Sequence, residues 1–225
     1  MTHWITVIST FALLLTGAEI VVSHPRFYWG EVGNVMIRPL FTLPIPASRD
    51  MVQTGYHFVM PDENGWSRYL HFEAAWVAVL TGLIYAIWGL WTGHFWRNLF
   101  PEPGDRNWRA FRRVAVKHFR RAPTEEADAH SYNVLQRTAY VMVIFVLFPM
   151  LIWTGLAMSP SFTSALPATA ALLGGRQSAR TLHFFLSGLL LLFIVVHITM
   201  VVLAGFWSRM RAMITGGDDA ARERV

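Results

Sequence analysis

The chain has 225 residues, 54% of them hydrophobic, with 10 Trp, 16 Phe and no Cys, and a formal net charge of +5. That is too apolar for an ordinary soluble domain and fits a polytopic membrane protein. Without cysteine the chain makes no disulfide, no cysteine-ligated iron–sulfur cluster and no c-type haem attachment, so any such centre sits on a partner.

A spanning helix needs about 20 mostly apolar residues. Four segments qualify: Trp4–Val22, Phe72–Trp91, Thr138–Met158 and Leu182–Trp207. They predict an all-α, four-helix transmembrane bundle over residues 1–208, followed by a cytoplasmic tail at 209–225. The first span opens on "MTHWITV" with His3. No basic residue precedes it and "SHPRFYWG" offers no small-residue cleavage site, so a signal peptide is not expected there.

Segment 23–70 is long for a connection between antiparallel helices. Its stretches "HPRFYWGEVG" and "RPLFTLPIP" set aromatics among prolines, which suits an ordered cap or docking surface better than a flexible linker. The second span opens on His71 in "RYLHFEAAW" and has His94 at its other end in "TGHFW". Segment 93–133 holds eight Lys or Arg and the tail from 208 holds four, against four in 23–70 and two in 159–181. By the positive-inside rule the basic loop and both termini face the cytoplasm, which gives an N-in, C-in topology and a periplasmic 23–70 loop. The basic run is a topology signal that also suits anionic lipid, and no nucleic-acid partner is expected. The third span begins near Asn133, Gln136 and Arg137. Asn133 and Gln136 are polar groups three apart on one helix face at the membrane edge, a placement that interfacial helix-start residues also have.

The fourth span, "TLHFFLSGLLLLFIVVHITMVV", carries His183 and His197. Fourteen helical residues rise about 21 Å and return within about 40° of the starting direction, so both imidazoles face one way at two depths. Ionisable groups at membrane depth are costly and mark functional sites. Two haems stacked across a membrane need this arrangement, provided partner ligands exist at matching depths. His71 begins its span on the same side as His183. His3 begins the first span on the cytoplasmic side, level with His197. The expected axial pairs are therefore His71 with His183, outside, and His3 with His197, inside, with His94 competing for the place of His3. His24, His57, His118 and His130 fall in loops and read as ordinary solvated histidines.

A porphyrin wedged between helices needs small residues facing it. Gly17 follows His3 by fourteen residues, on the same face at the depth of the outer pair. Gly82 and Gly89 follow His71 on its face at the inner depth. Arg68 and Arg180, each three residues before an outer histidine, and Arg137 on the inner side are candidates for haem propionates; snorkelling interfacial arginines explain each equally well.

"THW" opening the first span, a histidine opening the second, "YNVLQR" (Tyr132–Arg137) opening the third and His-x13-His in the fourth resemble the four-helix di-haem cytochromes b. That family includes bacterial cytochrome b561, the gamma subunit of formate dehydrogenase and the cytochrome b subunit of nickel–iron hydrogenases. The resemblance implies that His3, His71, His183 and His197 ligate two haem b. It also implies a quinone site beside the inner haem, at Asn133, Gln136 and His197. "HPRFYWGEVG" resembles members paired with a periplasmic molybdenum oxidoreductase, for which segment 23–70 would be the docking cap. The expected function is electron transfer, in the bacterial cytoplasmic membrane, between such a partner and the quinone pool, with substrate chemistry left to the partner. Two rivals remain: a stand-alone quinol-oxidising cytochrome b, and a haem-free transporter or proton relay. The relay calls for carboxylates at mid-depth and broken helices. The spans hold only Glu19 and Glu73, both near outer ends, and no interruption is visible in the sequence.

Overall fold

A computed structural model describes residues 2–34, 36–45, 63–100, 112, 136–203 and 205–215. Among these residues the architecture is almost wholly helical, with four helices long and apolar enough to cross a membrane. Two compact units divide the chain, Met1–Phe184 and Phe185–Val225.

The first unit opens with α1 (Thr2–Ser23), which lies along α2 (Glu63–Trp91). Both are built from apolar residues that point outward in large numbers, Ile8 and Leu15 on α1 and Ile84 and Trp88 on α2 among them, while Ser9, Thr10, Thr16 and Thr81 are buried. This inside-out pattern belongs to a bilayer, where lipid takes the large side chains and small polar residues let helices approach. Buried hydroxyls on α1 bond within their own helix, as lipid favours. Ser9 Oγ donates to the Ile5 carbonyl at 2.7 Å and Ser23 Oγ to the Glu19 carbonyl at 3.0 Å.

Between these helices, β1 (Arg26–Phe27) and β2 (Phe41–Thr42) form a two-stranded antiparallel ribbon pairing Arg26 with Thr42. It is an addition to the all-α expectation, too short to leave an alternating pattern. Phe27 is buried and stacks on Phe41 at 4.7 Å and against Phe184 at 4.5 Å. After α2 a π-helical turn, Phe95–Leu99, brings the Phe95 ring over Gly89.

The third long helix, α3 (Gln136–Met158), contains a π-helical stretch at Val143–Leu147, where the Phe148 N–H reaches the Val143 carbonyl. Pro149 follows directly. Its ring would clash with the Phe145 carbonyl and it has no N–H to offer there, which a wider turn relieves. The helix is thus locally widened at mid-span, and it is not broken. Short helices α4 (Pro160–Ala165) and α5 (Ala168–Ala171) lead into α6 (Arg176–Leu203). Ala157, Ala170, Leu173 and Ala179 form a small core where these elements meet, covered by Trp153, Met158 and Leu182.

The start of α6 is tied to the segment that follows α1. The Arg176 N–H donates to Glu31 Oε2 at 3.0 Å, and the Gln177 N–H donates to the Gly30 carbonyl at 2.9 Å. The Gly30 N–H in turn donates to Ser178 Oγ at 2.8 Å. Backbone donors left over at a helix start are thereby satisfied from a distant loop. The contact is so close that a Cβ on Gly175, whose φ is +112°, would stand 2.5 Å from the Gly30 carbonyl oxygen.

The second unit contains the rest of α6 and α7 (Phe206–Thr215). Gly205, with φ of 95°, lies between α6 and α7 in the left-handed conformation common after helix ends. Hydropathy alone carried the fourth span to Trp207, which stands on α7. The second and fourth helices also start earlier than their apolar stretches, at Glu63 and Arg176, because helices continue into polar turns outside the hydrocarbon layer.

Candidate functional site

His71 on α2 and His183 on α6 meet in the first unit. Their ring centroids are 6.4 Å apart, with planes inclined at 67°. Each ring is held on its Nδ1 side by a threonine from another helix. Thr16 Oγ1 on α1 lies 2.9 Å from His71 Nδ1, and Thr154 Oγ1 on α3 lies 2.9 Å from His183 Nδ1. The residue after each threonine is a glycine under the same ring. A Cβ on Gly17 would stand 3.5 Å from His71 Cε1, and one on Gly155 would stand 3.6 Å from His183 Cε1.

With Nδ1 committed to a threonine, Nε2 is the nitrogen through which each ring can ligate a metal. An imidazole nitrogen binds a transition metal at about 2.1 Å and lies about 1.1 Å from its ring centroid, so two rings in line across one metal have centroids about 6.4 Å apart. The observed separation fits that arrangement. Among the described residues no three His, Asp or Glu side chains converge on a point. A site with two imidazoles therefore suits a metal that brings its other four donors with it, as iron in a porphyrin does.

The other sequence candidates lie elsewhere. His3, at the exposed start of α1, packs edge-on to Trp4 at 5.8 Å. His197 belongs to the second unit, where it stacks on Phe193 at 5.7 Å. His94 packs against Tyr85 and Phe95, each at 6.2 Å. Gln136 Nε2 donates to the Tyr140 hydroxyl at 2.8 Å, and Arg137 is half-buried one residue on. Asn133, His57, His118 and His130 lie outside the described residues, as do 46–62, most of 93–133 and the tail beyond 215. Arg68 is exposed on α2. Arg180 donates to the carbonyls of His24 and Arg26 and lies over the Phe27 ring at 5.0 Å. It clamps the ribbon to α6, a role its place before His183 does not reveal.

Among the glycines, Gly17 lies at the depth of the outer pair, as expected. Gly17 seats the His71 imidazole itself. Gly89 makes room for Phe95, and a Cβ on Gly82 would meet nothing within 4 Å. Thr16, Thr154 and Gly155 were not singled out in the sequence. Both threonines belong to Thr-Gly dipeptides, "LLLTGAE" in α1 and "LIWTGLA" in α3, but the same dipeptide stands at Thr81–Gly82 in α2, so it does not mark them by itself.

The family profile described as prokaryotic cytochrome b561 matches residues 1–216. The chain belongs to the prokaryotic cytochrome b561 family. As a cytochrome b561 it is a multi-pass bacterial membrane protein that binds haem b and serves electron transfer. It is also similar to a protein of Azospira oryzae, provisionally named protein-methionine-sulfoxide reductase subunit YedZ1. The two are 27% identical over 223 residues, covering 96% of this cytochrome and 92% of the relative. No solved structure matches it.

Proposed function

We propose that this cytochrome b561 carries electrons between a periplasmic oxidoreductase, docked on segment 23–70, and the membrane quinone pool. Haem b supplies reversible one-electron chemistry when bound. His71 and His183 hold one haem near the periplasmic face, and His3 and His197 hold a second near the cytoplasmic face, with both termini cytoplasmic. Held by two imidazoles, such a haem would suit electron shuttling. Asn133, Gln136 and His197 form the quinone site, Arg68 and Arg137 are the cations for propionates, and Arg180 would serve there only with the N–H groups it does not spend on the ribbon. Substrate chemistry belongs to the partner. The relative's name, a subunit of a methionine-sulfoxide reductase, supports a partner enzyme over a stand-alone quinol oxidase.

The observation that carries this reading is the approach of His71 and His183 to 6.4 Å, each ring anchored at Nδ1. It is tested by oxidised and reduced absorption spectra of the purified protein, with haem extracted and counted per chain. The expected result is two low-spin b-type haems, falling to one in His71→Ala and in His183→Ala. A folded protein without haem would overturn the proposal and leave the proton relay as the better reading.

A further inference from the structure

The two threonines of the outer site do more than fill space. Thr16 and Thr154 are buried to 4% and 0% exposure in apolar helices. A hydroxyl has one proton, and in both residues it is spent on the helix's own backbone. Thr16 Oγ1 donates to the Ala12 carbonyl at 2.6 Å, and Thr154 Oγ1 donates to the Met150 carbonyl at 2.8 Å. A carbonyl has no proton to give, so toward the imidazole each hydroxyl can act only as an acceptor. Nδ1 of His71 and of His183 must therefore carry the hydrogen, and Nε2 presents its lone pair. That is the tautomer a metal ligand requires. Gly17 and Gly155, directly after the threonines, let the Nδ1–Cε1 edge of each ring come up against the helix that anchors it. The same Thr-Gly device thus acts twice, from α1 onto α2 and from α3 onto α6.

We infer that Thr16 and Thr154 are positioning residues that set the ring plane and donor strength of the outer haem's two imidazoles. The inference rests on His71 and His183 being the axial ligands. An N–H that donates to an oxygen leaves its imidazole more electron-rich and a better donor to a metal. A more basic pair of ligands favours the oxidised iron, so both threonines hold the outer haem's potential down.

The test uses Thr16→Val, Thr154→Val and the corresponding serine variants in the full-length protein. Valine keeps the shape and removes the acceptor; serine keeps the acceptor and removes the methyl. The outer haem is identified as the one missing from His183→Ala. Its midpoint potential is then read by redox titration, and its low-spin electron paramagnetic resonance signal reports the ring planes. In haem-free protein, 15N shifts of the histidine ring nitrogens report the tautomer. Each valine variant is expected to shift the oxidised-to-reduced preference of the outer haem about tenfold toward the reduced form, about 59 mV upward for one electron. The other haem should be unaffected, and serine should restore the original value. In haem-free Thr154→Val the His183 ring keeps the Leu151 carbonyl as an acceptor, so its tautomer should persist while its Nδ1 15N shift moves. Loss of the outer haem in valine but not serine variants also supports the inference, as weakened ligand support. Valine variants that keep the outer haem with unchanged potential, signal and 15N shifts would overturn it. Retention of both haems in His71→Ala or His183→Ala would overturn instead the ligand assignment on which it rests.

Discussion

At the scale of single residues, the outer site is a problem of fit between an imidazole and the helix behind it. A Cβ added at Gly17 or Gly155 would sit 3.5 or 3.6 Å from its histidine, an ordinary van der Waals distance. A branched side chain would go further and drive the ring off its threonine. Gly17→Ala and Gly155→Ala should therefore keep the outer haem, and Gly17→Val and Gly155→Val should lose it, as read from the ratio of haem to protein. His183 stood out in the sequence by its spacing of fourteen from His197, and His71 by its place at the start of an apolar span, both facts of the local chain. The threonines did not. A Thr in a membrane helix most often bonds to its own backbone, and both of these make that bond. Their second bond is to a residue 55 or 29 positions away, which no helical period announces. Arg180 shows the converse: its position three before His183 suggested propionates, and its place in the structure is set by the backbone turn of His24–Arg26.

At the scale of elements, the fourth helix does not start itself. Its first N–H groups are satisfied by Gly30 and Glu31, and Ser178 bridges them, accepting from Gly30 N–H and donating to the Gly174 carbonyl at 3.1 Å. Ser178→Ala should leave the half-buried Gly30 N–H without this acceptor, a loss of about 0.5–1.5 kcal/mol. A lowered thermal midpoint in detergent, with the absorption spectrum of the folded fraction unchanged, is the expected outcome. The helices themselves could be read from hydropathy because a bilayer leaves a backbone few alternatives. Their ends could not, since capping donors and acceptors come from elsewhere in the chain. Nor could the π-helical widening at Val143–Leu147. Pro149 marks where a ladder must adjust, but proline alone does not say whether the helix kinks, breaks or widens.

At the scale of the whole molecule, fold class and family were both within reach of the sequence, because four apolar spans and a His-x13-His leave few other readings. The small ribbon was not, being two residues a strand. One arrangement has a consequence for how the molecule is assembled. Thr16 and His71 both precede the basic loop, and Thr154 and His183 both follow it. Each half of the chain thus carries one anchored imidazole, and under the proposed pairs each half also gives one ligand to the second haem. The haems would then be staples between two helical hairpins, neither of which can hold one alone. Cutting the gene within segment 93–133 and co-expressing the pieces should give a haem-loaded protein, and either piece alone should emerge colourless. Iron and porphyrin supply would in that case govern the joining of the hairpins as well as their redox chemistry.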